Sequence, residues 1–128
     1  MWRPAALGFS LLAGCGAAPG PTTGPFEPRY DGIEAAMLDD DLVRVRVAMR
    51  GARDSADLDR YAACAVSQYA LDHEFGFARH VRTIVDVSAG IWRADAVYTI
   101  SPSLPRGSRT IDAEVTAAEC GLSGIPTV

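Results

Sequence analysis

"LVRVRVAMR", residues 42–50, alternates without a fault: Val43, Val45, Val47 and Met49 fall on one side, Arg44, Arg46, Ala48 and Arg50 on the other. A period of two residues is that of a β-strand with one face buried. The arginines cannot be buried without partners, so the opposite face meets water. A sheet that is wet on one face is an antiparallel sheet, because parallel sheets are covered on both sides.

Upstream, "GIEAAM" (32–37) and the acidic turn Asp39-Asp40-Asp41 predict the first arm of a hairpin, although alanine and glutamate are weak strand formers. Downstream of Gly51, Asp54 or Ser55 caps a helix with Asp57 and Asp59 in its first turn, where the positive end of the helix dipole favours them. The helix runs from residue 55 to 74 with Leu58, Tyr61, Ala62, Ala65, Val66 and Tyr69 on one face, and Gly76 is the expected left-handed stop.

Three more strands are predicted. Phe77 to Val87 puts Val81, Thr83, Val85 and Val87 inward and His80, Arg82, Ile84 and Asp86 outward; Ser88-Ala89-Gly90 turns the chain. Trp92, Ala94, Ala96, Tyr98 and Ile100 then share the inner face, and the loop "SPSLPRGS" ends that strand. The last, Arg109 to Ala117, points Ile111, Ala113, Val115 and Ala117 inward. The sum is an α+β two-layer sandwich, one helix packed on a four- to five-stranded, mostly antiparallel sheet. A chain of 128 residues holds one such domain, here assigned to residues 32–128.

The outer sheet face carries Arg44, Arg46, Arg82 and Arg93 among Asp86, Asp95, Asp112 and Glu114. Two readings stand side by side: arginines on adjacent strands can hold a carboxylate, a phosphate or an acidic partner by paired hydrogen bonds, and mixed charges on a solvated sheet can simply cancel. Acid–base chemistry at neutral pH would fall to His73, near the helix end, or His80, in the next strand. No third group orders either into a catalytic arrangement, His73 suits the negative end of the helix, and no nucleophile elbow or glycine-rich phosphate loop is present. The composition implies no cofactor and no metal.

All 12 basic residues are arginine, against 16 acids, for a net charge of −4. That balance argues against nucleic acid as a partner. The first residues, Met1, Arg3 and an apolar run through Leu7, Phe9, Leu11 and Leu12, form an export signal far shorter than the roughly 20 residues a spanning helix needs. After it, "GAAPGPTTGPFEPRYD" (16–31) is a Gly- and Pro-rich tether with little to bury. Setting Cys15 aside leaves Cys64 and Cys120, an even count in an exported chain, which suggests a bridge. Two separately buried thiols are the alternative.

Leu12-Ala13-Gly14-Cys15 resembles the lipobox of bacterial lipoproteins. That resemblance implies a signal peptide over residues 1–14 and diacylglycerol on the sulfur of Cys15. It also implies a tether over 15–31 and a location in the cell envelope, with the membrane reached through lipid. Gly16 in place of aspartate is compatible, by the same resemblance, with the periplasmic side of the outer membrane in a Gram-negative source. "RYAACAVSQYALDHEFGFARH" (60–80) and "WRADAVYTISPSLPRG" (92–107) are similar to segments of small uncharacterised lipoproteins of proteobacterial type. The expectation is a non-catalytic, tethered binding or structural domain whose partner is another envelope component. The alternative is a small envelope hydrolase or ligand-processing enzyme using His73 or His80.

Overall fold

The computed structural model describes residues 8, 25–107 and 109–128. Apart from Gly8, the stretch read as a signal peptide lies outside the described residues, as do Cys15 and most of the stretch read as a tether. Five strands and two helices follow one another as β1 (Arg29–Asp39), β2 (Leu42–Arg50), α1 (Ser55–Asp72), β3 (Phe77–Ser88), β4 (Ile91–Ser101), β5 (Thr110–Asp112) and α2 (Ala113–Ser123). The strands make one sheet in the order β1-β2-β4-β3-β5, and every neighbouring pair is antiparallel. Helix α1 carries the chain from β2 past β4 to β3, leaving room for β4 to fold back between them.

The alternation of β2 is realised in full: Val43, Val45, Val47 and Met49 are buried under α1. From the helix come Leu58, Tyr61, Ala62, Ala65 and Val66; from β4 come Ala94 and Ala96. Alanine against alanine lets the helix approach the middle of the sheet, while Tyr61, Tyr98 and Met49 fill the space around it. Each buried leucine or valine in such a core contributes about 1.5–3 kcal/mol.

The start of α1 is fixed by local polar contacts. Asp54 caps it, its carboxylate accepting from Ala56 N at 2.9 Å. Asp57 accepts from the backbone of Arg53 at 2.8 Å and from its guanidinium at 2.8 and 3.1 Å. The hydrogen bond from Arg53 holds the Asp57 carboxyl below its ordinary pKa. The same guanidinium lies 3.8 Å above the Phe26 ring, an attractive placement of a cation on a π face. Chain well before residue 32 is thereby held against the domain, and β1 starts at Arg29, inside the stretch assigned to the tether. Gly51 closes this corner: its φ is +74°, and a Cβ there would sit 2.6 Å from the carbonyl oxygen of Glu27.

The α+β antiparallel architecture stands, with four local differences from expectation. The last segment is strand only over Thr110–Asp112 and then turns into α2, because Asp112 caps the helix by accepting from Val115 N at 3.2 Å. Gly124, with φ 70°, ends it in the left-handed conformation. Glu114 therefore belongs to this second helix rather than to the outer sheet face, while Asp112 ends β5 opposite Phe77 and caps the helix. The left-handed residue after α1 is Glu74, φ 67°, not Gly76. Finally, β3 carries a bulge between His80 and Arg82. The extra residue, Val81, is 53% exposed and shifts the alternation by one position. His80 therefore pairs with Tyr98 on the helix side, not on the wet face, whereas Arg82, Ile84 and Asp86 stay outward.

Strand β1 forms one edge of the sheet, with irregular register between Tyr30 and Gly32 and between Met37 and Asp39. At the other edge β5 pairs only with Phe77–Arg79 of β3. Helix α2 packs on α1, and Cys64 of the one is joined to Cys120 of the other by a disulfide with a Cα separation of 5.9 Å.

Candidate functional site

Register places the outward residues of four strands in transverse rows. One row runs Glu34, Arg46, Asp95, Ile84 from β1 to β3; the row beside it runs Gly32, Ala48, Arg93, Asp86. On the far side of the first lies Ala36, Arg44, Val97, Arg82, and beyond the second Arg29, Arg50, Ile91, Ser88. All four arginines singled out from sequence thus share the open face.

Asp95 is the hub. Arg44 donates to it through Nε at 3.0 Å and through Nη2, Arg46 Nε lies 3.6 Å away and Arg82 Nη1 3.7 Å away. Three guanidiniums on one carboxylate leave surplus positive charge and unused donors. Val97, although outward, is buried, because its neighbours in register are Arg44 and Arg82, whose apolar stems shield it. Arg93 makes no ion pair among the described residues; the salt bridges there belong to Arg44, Arg46, Arg50, Arg53 and Arg82.

Hydrogen bonding from Arg44 holds the Asp95 carboxyl below its ordinary pKa, with Arg82 and Arg46 adding to the effect. A depressed folded value means that the unfolded chain binds the proton first. The stabilisation is therefore complete above roughly pH 4, where an unfolded aspartate is ionised, and is lost as pH falls through the lower folded value. Urea titrations between pH 7 and pH 2 are expected to show stability declining in that acid range, with a shallower decline in Asp95→Asn. Identical slopes would remove Asp95 from the account.

Above the row with Gly32 and Ala48 the face sinks into a trough of about 660 Å³. Its floor is a glycine and an alanine, and a Cβ built on Gly32 meets nothing within 4 Å. Its sides carry Arg46, Glu34, Asp95, Arg93 and Asp86, with Ile84 as an apolar wall that is 61% exposed. The sequence pattern marks Ala48 and Ile84 as outward, but nothing short of the strand register reveals that small residues from β1 and β2 meet there.

The histidines stand apart from this trough and from each other. His73 caps α1, its Nδ1–H donating to the carbonyl of Tyr69 at 2.8 Å, and stacks on the Tyr69 ring. His80 Nε2 is 2.6 Å from Thr83 Oγ1, and its ring meets Tyr98 edge-on at 5.4 Å. Each ring bonds a neutral oxygen, so neither is oriented by a carboxylate. Among the described residues no group of three or more His, Cys, Asp or Glu is placed to hold a metal ion. No helix among them is long and apolar enough to cross a membrane.

Comparison with known proteins gives two findings. A family model described as the YNQ4 C-terminal domain matches residues 30–124, which spans the strands and helices of the fold. A protein of Paracoccus denitrificans, described as an uncharacterized 26.9 kDa protein in the nqo8 5′ region, is 34% identical over 87 residues, 68% of this chain. The matched segment is 34% of that relative's length, so the chain corresponds to about a third of it. No solved structure matches.

Proposed function

We propose that this chain, which belongs to the YNQ4 C-terminal domain family, is a non-catalytic domain tethered by lipid in the cell envelope that binds another envelope component through the open face of its sheet. Membership supplies the extent of the domain and no reaction. The observation that carries the reading is the trough on the open face, where Arg46 of β2 and Arg93 of β4 stand among Glu34, Asp86 and Asp95, beside the cluster in which Arg44, Arg46 and Arg82 surround Asp95. Both histidines lie away from it. Support for the envelope comes from the lipobox-like Leu12-Ala13-Gly14-Cys15 and from the Cys64–Cys120 bridge, since such bonds persist in oxidising compartments. In a Gram-negative cell, Gly16 directs this reading to the periplasmic side of the outer membrane.

The test is site-specific photo-crosslinking in intact envelopes. A cross-linker at Ile84 is expected to capture one neighbour, capture is expected to be lost in Arg46→Gln/Arg82→Gln, and Cys15→Ser is expected to move the protein out of the detergent phase. Equal capture from Leu122, 91% exposed on α2, would discard the open face as the binding surface. Retention of the Cys15→Ser chain in the detergent phase would discard the lipid anchor.

A further inference from the structure

Strand β5 covers β3 only along Phe77–Arg79, and among the described residues no strand pairs with the outer side of Arg82–Ser88. That stretch is regular in register against β4 and holds no proline, glycine or lysine. Its Thr83, Ile84, Val85 and Val87 favour extended backbone. A margin of this kind is a template for an added strand. The backbone groups it offers follow from the sheet: Ile100 N donates to the Asp41 carbonyl at 2.8 Å, so the even-numbered residues of β4 turn their backbone groups to β2, and Arg93, Asp95 and Val97 turn theirs to β3. Their register partners Asp86, Ile84 and Arg82 spend their N–H and C=O groups on β4. Thr83, Val85 and Val87 direct theirs outward to the free margin.

We infer that this margin pairs with the same stretch of a second copy of the chain, antiparallel and about Ile84, joining two five-stranded sheets into one across a two-fold axis. Charge and register together select this occupant. Antiparallel strands oppose residues of the same face, so the axis passes through a residue. An axis at Arg82 or Asp86 opposes like charges; one at Thr83 sets Arg82 against Ile84, and one at Val85 sets Asp86 against Ile84. With the axis at Ile84, Arg82 of each copy meets Asp86 of the other, Ile84 meets Ile84 between them, and Thr83 meets Val85 on the helix side, where their outward N–H and C=O groups complete hydrogen-bonded pairs. The side chains concerned are accessible: Ile84 is 61% exposed and the Arg82 side chain 46%. Asp86 makes no ion pair among the described residues, although Arg93 is its register partner, and Arg82 reaches Asp95 only at 3.7 Å. Such an interface uses one patch of both copies, and it occupies the β3 margin of each, so association stops at two.

The experiment uses the full chain purified in detergent. Under mild oxidation Ile84→Cys is expected to form a covalent pair, because opposed residues of a non-hydrogen-bonded antiparallel pair stand about 4.5 Å apart at Cα, within disulfide reach. Leu122→Cys, at a position 91% exposed on α2, is expected to stay at the background of the natural chain. In sedimentation equilibrium Arg82→Asp and Asp86→Arg each oppose like charges at both cross-strand pairs and are expected to weaken self-association about tenfold. An equimolar mixture of these two variants is expected to recover it, since both pairs of the mixed dimer are again opposite in charge. Should either variant fail to fold, Arg82→Gln and Asp86→Asn give the same reading with a loss of about threefold each. In the cross-linking from Ile84 proposed above, an adduct at twice the chain's mass reports the second copy and any other mass reports the envelope partner, so either can fail without the other. Equal bridging from Ile84→Cys and Leu122→Cys overturns the inference. So does a natural chain that stays single in sedimentation, whatever strand fills the margin in the envelope, and so does full self-association of the charge variants or a mixture no tighter than either variant by itself.

Discussion

A Cys64→Ala/Cys120→Ala chain unfolds at a urea concentration about 2 M below that of the bridged protein, the expected result of losing roughly 4 kcal/mol at a denaturant slope near 2 kcal/mol per molar. The sulfurs join residues 56 apart in sequence, so the bond removes a long loop's worth of freedom from the unfolded chain. Its effect on the folded side is local: α2 is short and packs on α1 and β5. Without the bond, α2 is expected to open first, with amides of Ala113–Ser123 exchanging before those of β2 and β4. Chemical reduction of the natural chain should reproduce most of the shift. An unchanged midpoint on reduction would mean that packing alone holds α2 and that the bridge contributes nothing to equilibrium stability.

Tyr61→Ala is expected to cost about 3–5 kcal/mol, the range for emptying a large aromatic site, which is a substantial part of the 5–15 kcal/mol typical of a domain. Tyr61 is 1% exposed and meets the Tyr30 ring edge-on, with centroids 4.7 Å apart and planes at 70°. That contact fastens the edge strand β1 to the helix layer, and such pairs contribute about 0.5–1.5 kcal/mol beyond the area they bury. The same substitution should expose residues near Tyr30 to limited proteolysis before the rest of the sheet. Urea unfolding that shows a loss under about 1 kcal/mol would mean the neighbours collapse into the space.

How far residues alone lead depends on whether the decisive signal is local. The alternation of β2 and the stripe of α1 were legible because each repeats several times within one element, and a burial pattern of either period has one satisfying arrangement. The cap was legible only as Asp54 or Ser55, and the structure assigns it to Asp54. The segment after Arg109 was not, since Ile111, Ala113, Val115 and Ala117 fit a strand, while an alanine- and glutamate-rich run behind Asp112 fits a helix equally. The bulge at Val81 was invisible because one unpaired residue leaves no trace in composition, yet it moves His80 to the other side of the sheet. The arginines could be assigned to a face from β2 and β4 separately. That three of them converge on Asp95 while Arg93 makes no ion pair among the described residues, and that Gly32 and Ala48 make a floor, are properties of pairing between strands distant in sequence.

The irregular register at both ends of β1 leaves an unbroken run of only Gly32 to Met37 along that side of the sheet. An incoming strand could add a few hydrogen bonds there before meeting a kink at either end. Sheets with long, flat margins recruit copies of themselves into fibres, and kinked margins resist it. The two distortions thus work as a guard against self-templating, which allows the domain to remain dispersed when many copies stand close together.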